Sequence, residues 1–429
     1  MDTALTLLAE WLPRQRWYTR SARPPRLRLL ADDARPALDP TARIRVLVVS
    51  DDAAPSPVVL QIPIVVRREQ EADASPGAIG TTADGEVLLD GPHDPAFQAA
   101  LLARIAPASA PADAQVLAGE QSNTSIVYRP AAGHPIIAKV YRQLSAGLNP
   151  DIELLTRLSA VGSQRVPSVV GVIEGAWADP RDQGTTATGS LVFAQEFFPD
   201  APDAWPVALS AAAAGEDFAG PAADLGVTTA HVHLDLARLF PTPDADAAAR
   251  RAITEAWERR LSIALTEVPQ LATHQDAIRA VYRAAAAEPW PALQRIHGDY
   301  HLGQVLRVPE RGWVIIDFEG EPMRPMHERR EPDLALRDIA GMLRSFDYVA
   351  GSLAQDGDVD RARRAGAWAA EARAAFLAGY AGASGTEPAG PVLDALELDK
   401  AVYEAIYEAR HRPGWLTIPL AAIERLVTA

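Results

Sequence analysis

Ile296-His297-Gly298-Asp299-Tyr300-His301-Leu302-Gly303-Gln304-Val305-Leu306, followed by Trp313-Val314-Ile315-Ile316-Asp317-Phe318-Glu319-Gly320, is the stretch on which the reading of this chain turns. An Asp in a tight His-Gly-Asp turn, a carboxamide five residues later and a second Asp closing the next strand make the set that a phosphoryl-transfer site needs. Asp299 would accept the proton of an attacking hydroxyl, and Gln304 and Asp317 would offer hard oxygen ligands to magnesium beside a triphosphate. A hairpin between them makes the geometry workable, since Gln304 starts one strand and Asp317 ends the other. Any one of these residues alone is an ordinary turn former; the ordered set is the signal. His297 and His301 have the spacing of a metal pair, but no further nitrogen or thiolate ligand lies close in sequence, so turn-stabilising hydrogen bonds are the better reading.

Upstream, the parts of a nucleotide clamp come in order. Gly119-Glu120-Gln121-Ser122-Asn123-Thr124-Ser125 lies between two strands, where Ser122, Asn123, Thr124 and backbone N–H groups would cover phosphates, although a plain hairpin turn explains the stretch equally. Lys139 is the sole lysine of the first three hundred residues and sits within the apolar run Ile136-Ile137-Ala138-Lys139-Val140. A cation there is costly unless it is used, and the α- and β-phosphates are its natural partners. Glu153, on the helix that opens at Asn149-Pro150-Asp151, would orient it, or would simply be a favourable charge in the first helical turn. Ala194-Gln195-Glu196-Phe197-Phe198 leaves a strand just before the helical half, where Glu196 and Phe198 would bond adenine through the backbone.

The surrounding pattern is α+β. Short β-branched runs, Ile44 to Val49 and Val58 to Val66, read as a β-rich module. A second strand-rich stretch runs from Val116 to Ala194, and helical spacing dominates from Ala222 onward. Three parts follow: a cap module at 1–107, a nucleotide-binding lobe to the hinge at 108–200, and a helical lobe at 201–429. Ser210 to Gly215 and Pro241 to Ala247 read as loop or insertion. With 429 residues, a net charge of −15 and no cysteine, the composition excludes disulfides and thiolate chemistry, and argues against nucleic acid. No run is apolar enough to cross a bilayer, and Met1 to Pro13 does not read as a signal peptide, so a cytoplasmic protein is expected.

Several segments resemble the maltokinases, of the aminoglycoside-phosphotransferase-like superfamily. They are Gln15-Arg16-Trp17-Tyr18, Glu120 to Ser125, Asn149 to Leu154, His297 to Leu306, Asp317 to Pro322, Leu336 to Phe346 and Glu397 to Leu420. The resemblance implies a bilobal kinase-like fold with an added N-terminal cap, and the reaction ATP + maltose → maltose 1-phosphate + ADP, with magnesium, on a route from trehalose to α-glucan. It also implies association with trehalose synthase. Asp299, His301, Lys400, Tyr403, Glu404 and Tyr407 take the sugar-contacting places. The last four share one face of a helix over Glu397 to Arg412, a mixture of charge and aromatic rings that suits a pyranose. Glu408 and His411 on that face read as solvated, and Arg410 and Arg412 as holding the helix end against Glu319 to Glu321. Two other readings remain open. One is a kinase for an amino sugar or aminoglycoside, which would favour a more acidic pocket than Lys400 provides. The other is a catalytically weak adaptor.

Overall fold

The computed structural model describes residues 2–19, 23–53, 56–68, 77–109, 113–117, 123–131, 133–182, 184–321, 324–355 and 357–428. It divides into two compact units, Met1–Thr156 with Pro167–Pro199, and Arg157–Val166 with Asp200–Ala429. The expected boundary at residue 107 falls inside the first unit.

The first unit opens with α1 (Asp2–Trp11) and the strands β1 (Leu27–Arg35), β2 (Arg43–Asp51), β3 (Val58–Arg68), β4 (Ala78–Thr81) and β5 (Glu86–Asp90). These form an antiparallel sheet in the order β1-β2-β3-β5-β4. Strand β3 is buried on both faces, which is why it reads as a continuous apolar run rather than an alternating one. Leu60, Ile62, Ile64 and Val66 pack on Leu8, Trp11, Leu12 and Trp17. The alternate residues, Gln61 and Pro63, point to the opposite face.

Helix α2 (Pro95–Ile105) follows, N-capped by Asp94. Next come β6 (Asp113–Val116), β7 (Asn123–Arg129), β8 (Ile136–Tyr141), β9 (Gln143–Leu144), α3 (Pro150–Ala160), β10 (Val169–Ala178) and β11 (Thr186–Glu196). The second sheet has the order β10-β11-β8-β7-β6, while β9 pairs back onto β3. Gln61 joins the two sheets, its amide nitrogen donating to the Tyr141 and Leu191 carbonyls at 2.8 and 2.9 Å. Beside that seam the fully buried Arg142 meets Asp90 at 2.6 and 2.8 Å and donates to Thr124 Oγ1 at 2.8 Å, under the ring of Trp17. A buried guanidinium is tolerated only when its donors are used in this way.

The second unit holds α4 (Ala204–Ala214), α5 (Ala219–Leu239), α6 (Ala247–Glu267), α7 (Gln275–Ala287), the hairpin β12 (Val305–Val308) and β13 (Gly312–Ile315), then α8 (Ala335–Leu353), α9 (Val359–Ser384), α10 (Pro391–His411) and α11 (Thr417–Thr428). Helix α4 corrects the expected loop at Ser210 to Gly215. Alanine is the strongest helix former, Ala204, Ala208 and Ala211 make a buried stripe, and Gly215 ends the helix in the left-handed conformation. Among the described residues no helix is long and apolar enough to cross a membrane.

Candidate active site

In the first unit, β8 carries Lys139 opposite Ser125 of β7 and Phe193 of β11. Its ammonium lies 3.0 Å from Asp151 Oδ2, and the Asp151 side chain is fully buried. Asp151 is fixed in turn by Asn149, whose side-chain oxygen accepts the Asp151 N–H at 2.9 Å. The sequence reading gave the orienting role to Glu153; the structure puts Asp151 against the lysine.

The period of two along β7 sorts the phosphate-loop candidates. Asn123 and Ser125 share the face of Lys139, whereas Thr124 pairs with Val140 and points the other way, its hydroxyl bonded to Arg142. A side-chain contact from Thr124 to phosphate is therefore replaced by a structural bond. Ser125, which the sequence reading quoted but gave no role, is buried beside Lys139 with no hydrogen-bond partner for Oγ among the described residues. Ser122 and the rest of Ala118 to Gln121 lie outside the described residues. At the end of β11, the Glu196 and Phe197 amides donate to the Ser168 and Pro135 carbonyls at 2.8 Å each, fixing the segment that runs to Phe198.

In the second unit the His-Gly-Asp turn is held from below by Asp338 in the first turn of α8. Asp338 is buried and accepts the N–H groups of His297 and Gly298 at 2.8 and 2.9 Å, together with His233 Nε2 at 3.1 Å. Burial alone would raise its pKa; the bonds to His233 and the turn amides outweigh burial and hold it below the usual carboxylate range. Gly298 has φ +85°, a conformation in which a side chain would be strained. Gly341 of α8 lets the turn settle on the helix, since a Cβ there would lie 2.4 Å from the Tyr300 carbonyl oxygen.

Both ring nitrogens of His297 are occupied. Nδ1 accepts the Asp299 N–H at 3.3 Å and Nε2 bonds the Ile316 carbonyl at 2.9 Å, while the ring packs on Phe318. His301 accepts the Gly303 N–H on Nδ1 at 3.0 Å, and its pKa is lowered, chiefly by burial. A neutral ring that accepts on Nδ1 keeps its proton on Nε2. The Ile316 N–H donates to the Gln304 carbonyl at 3.0 Å, which brings Gln304 and Asp317 to the same end of the β12–β13 hairpin. Asp317 has φ +64°, one of two non-glycine residues with positive φ among the described residues. Asp is among the few side chains that accept that backbone state.

Helix α10 brings Lys400 to the turn, 2.7 Å from Glu321 Oε1 and 3.4 Å from Asp299 Oδ1, with the Tyr403 ring 5.1 Å from its nitrogen. Burial would depress the lysine's pKa, but Glu321 and Asp299 more than reverse this and raise it. The same exchange acts on Glu321, which burial would push up and Lys400 pulls down to about 2. Sequence reasoning placed Lys400 among sugar contacts and missed Glu321 as its partner. Arg260 and Arg337 back this cluster through Asp399.

Glu404 is taken up by the buried Arg344 at 2.8 Å. Tyr407 lies about two turns beyond Lys400, is 42% exposed, and has its ring against His411 and Arg412. Glu408 corrects the solvated reading. It is buried, accepts the Tyr348 hydroxyl at 2.9 Å and pairs with Arg412 at 2.6 Å. Arg410 pairs with Glu267 at 2.5 Å, so neither arginine serves the Glu319 to Glu321 segment in the way expected.

Residues 11–94 match the family described as the maltokinase N-terminal cap domain. The chain is 31% identical over 337 residues to a glucosamine kinase of Mycolicibacterium smegmatis, covering 72% of this chain and 78% of the relative. It is 33% identical over 214 residues to a glucosamine kinase of Streptacidiphilus jiangxiensis, covering 46% and 47%. A solved glucosamine kinase in complex with glucosamine, ADP and inorganic phosphate superposes with TM-score 0.69 at 23% identity, covering 98% of both chains, which shows the shared kinase-like fold. The chain belongs to the maltokinase-like sugar kinases of the aminoglycoside phosphotransferase-like superfamily, the group in which these glucosamine kinases stand.

Proposed function

We propose that the chain is an ATP- and magnesium-dependent kinase whose acceptor is an amino sugar, with glucosamine the first candidate. The observation that carries this reading is the state of Lys400. A lone lysine at the acceptor side would repel an amine, but this one is answered by Glu321 at 2.7 Å and Asp299 at 3.4 Å, leaving two carboxylates to one ammonium. The glucosamine kinases among its relatives point the same way.

In the reaction, a sugar hydroxyl gives its proton to the Asp299 carboxylate as its oxygen attacks the γ-phosphorus. The bond from phosphorus to the β–γ bridging oxygen breaks, and ADP leaves. Lys139, aimed by Asp151, holds the α- and β-phosphates. The Gln304 carboxamide and the Asp317 carboxylate are oxygen donors of the hardness magnesium prefers, so the donor set fits that ion. Magnesium, when bound, neutralises charge on the triphosphate. His301, neutral with its proton on Nε2, donates a hydrogen bond to the acceptor, and Tyr403 offers a ring face to the apolar side of the sugar. Adenine is held by the backbone of the Glu196 to Phe198 segment.

A second reading keeps maltose as acceptor and maltose 1-phosphate as product, feeding α-glucan synthesis from trehalose, with trehalose synthase as a partner detectable on a sizing column. The cap family match favours it. That match discriminates weakly, because the solved glucosamine kinase aligns over 98% of this chain, cap included.

The test is an ADP-release assay with purified protein, ATP and magnesium, run in parallel on glucosamine, maltose, glucose, trehalose and kanamycin. Turnover confined to glucosamine sustains the first reading, and turnover confined to maltose replaces it with the second. No turnover on any of them removes both and brings the adaptor reading forward.

A further inference from the structure

The first unit contains a cavity that phosphoryl transfer does not use. With Leu60, Ile62, Ile64 and Val66 committed to the core under α1, the other face of β3 looks toward α2 and the β10–β11 strands. There Gln61, Pro63, Ala100, Ile173 and Leu191 line a cavity of about 330 Å³, at the small end of the range for ligand sites. The cavity opens to solvent past Leu38, which is 70% exposed.

The lining is mainly apolar, and its charged members are Arg35 and Arg104. Arg35, the last residue of β1, pairs with Asp33 through one terminal nitrogen, but its buried Nε has no hydrogen-bond partner among the described residues. Arg104, in the last turn of α2, has its pKa lowered first by burial and next by the charge of Arg35, with Asp33 acting in the opposite sense. Two guanidinium groups, the exposed Arg104 and the half-buried Arg35, thus line one apolar pocket, and the Arg35 Nε lacks an acceptor there among the described residues. A carboxylate supplies that acceptor together with a charge opposite to both, and its two oxygens match the guanidinium fork.

We propose that this cavity binds a small monoanion with an apolar body, a medium-chain carboxylate, with its head on Arg35 and Arg104 and its hydrocarbon against Pro63, Ile173 and Leu191. A neutral ligand of the same shape would leave the Arg35 Nε without a charged acceptor.

Octanoate is the probe, titrated calorimetrically into the intact protein, with octan-1-ol as the neutral control. Two variants accompany it: Ala100→Trp, which fills the chamber, and the double variant Arg35→Gln/Arg104→Gln, which removes the charge. None of the three positions belongs to the phosphoryl-transfer machinery, so retained kinase turnover certifies that each variant is folded. The expected result is saturable one-to-one binding of octanoate with Kd below about 1 mM, weakened at least about tenfold for octanol and for each variant. The proposal is overturned if wild-type protein shows no saturable binding, if octanol binds as well as octanoate, or if octanoate binding survives both variants unchanged.

Discussion

Of the 41 lysine and arginine residues in this chain only two are lysine, and they mark the two halves of the proposed chemistry in different ways. Lys139, in the first unit, pairs with Asp151, a carboxylate with no exposure of its own, from a strand otherwise apolar. Lys400, in the second unit, lies between the buried Glu321 and Asp299, the base assigned to proton transfer, and the Lys400 and Asp299 side chains are partly exposed. The first arrangement is a charge aimed by a buried carboxylate. The second is a cluster of two carboxylates about one ammonium, in which the lysine sets the charge of the place where the acceptor would sit. Arginine serves everywhere else, the buried pairs of Arg142 and Arg344 included, because its planar fork meets two oxygens at once, whereas a compact point charge suits a slot between oxygens.

The largest effect that tests this contrast falls on Asp299, the group Lys400 touches. Asp299→Asn is expected to leave nucleotide binding near normal and to lower kcat by roughly two to four orders of magnitude, the range for loss of a general base. Single-turnover assays with and without acceptor would check it, and wild-type kcat would remove Asp299 from proton transfer. Lys139→Met comes next. A loss of about two to three orders of magnitude in kcat/KM for ATP is expected, with the acceptor KM little changed, as for removal of one donor to a charged transition state. An equal rise in both KM values would mean that the two lysines do not divide the work as described.

How far this contrast was legible in the sequence depends on the distance each partner lies along the chain. Asp299, Gln304 and Asp317 share one turn and one hairpin, so their convergence follows from local geometry. Lys139 announced itself as a cation in an apolar strand. Its contact with Asp151 did not, because Asp151 and Glu153 are both acidic residues of the first helical turn. Thr124 was misplaced by the same kind of ambiguity, a single step in strand phase. Glu321, Asp338 and Glu408 were harder still, since each acquires its role from an element 40 to 79 residues away. One signal for Asp338 was available: an acidic residue directly before the apolar stretch Ile339 to Leu343 needs buried donors.

A smaller effect concerns the charge balance itself. Lys400→Met removes the charge that holds Glu321 down to about 2. A carboxylate whose folded pKa is depressed contributes stability that is present above its unfolded value of about 4.3, and that is lost as pH falls through the folded one. The variant is therefore expected to be less stable than wild type by about 2 kcal/mol at pH 7, with the gap narrowing below about pH 4. Urea unfolding of both proteins at the two pH values measures it. A gap independent of pH would show that the lysine contributes packing rather than charge.

The smallest effect separates two tyrosines on one helix. Tyr403 keeps its ring 5.1 Å from the Lys400 nitrogen and partly buried, and Tyr407 stands a turn further on, 42% exposed, against His411 and Arg412. If the acceptor sits where Lys400 meets Asp299, truncating Tyr403 strips a ring from one wall of its pocket. Tyr403→Ala should then raise the acceptor KM about tenfold with the KM for ATP unchanged, consistent with the value of a stacking aromatic contact. Tyr407→Ala should alter either constant by less than about threefold, as for a surface substitution. The reverse pattern would move the acceptor along α10, away from the Lys400 cluster. Lys400 would then be a structural counter-ion for Asp299 and Glu321 rather than the charge that selects the sugar.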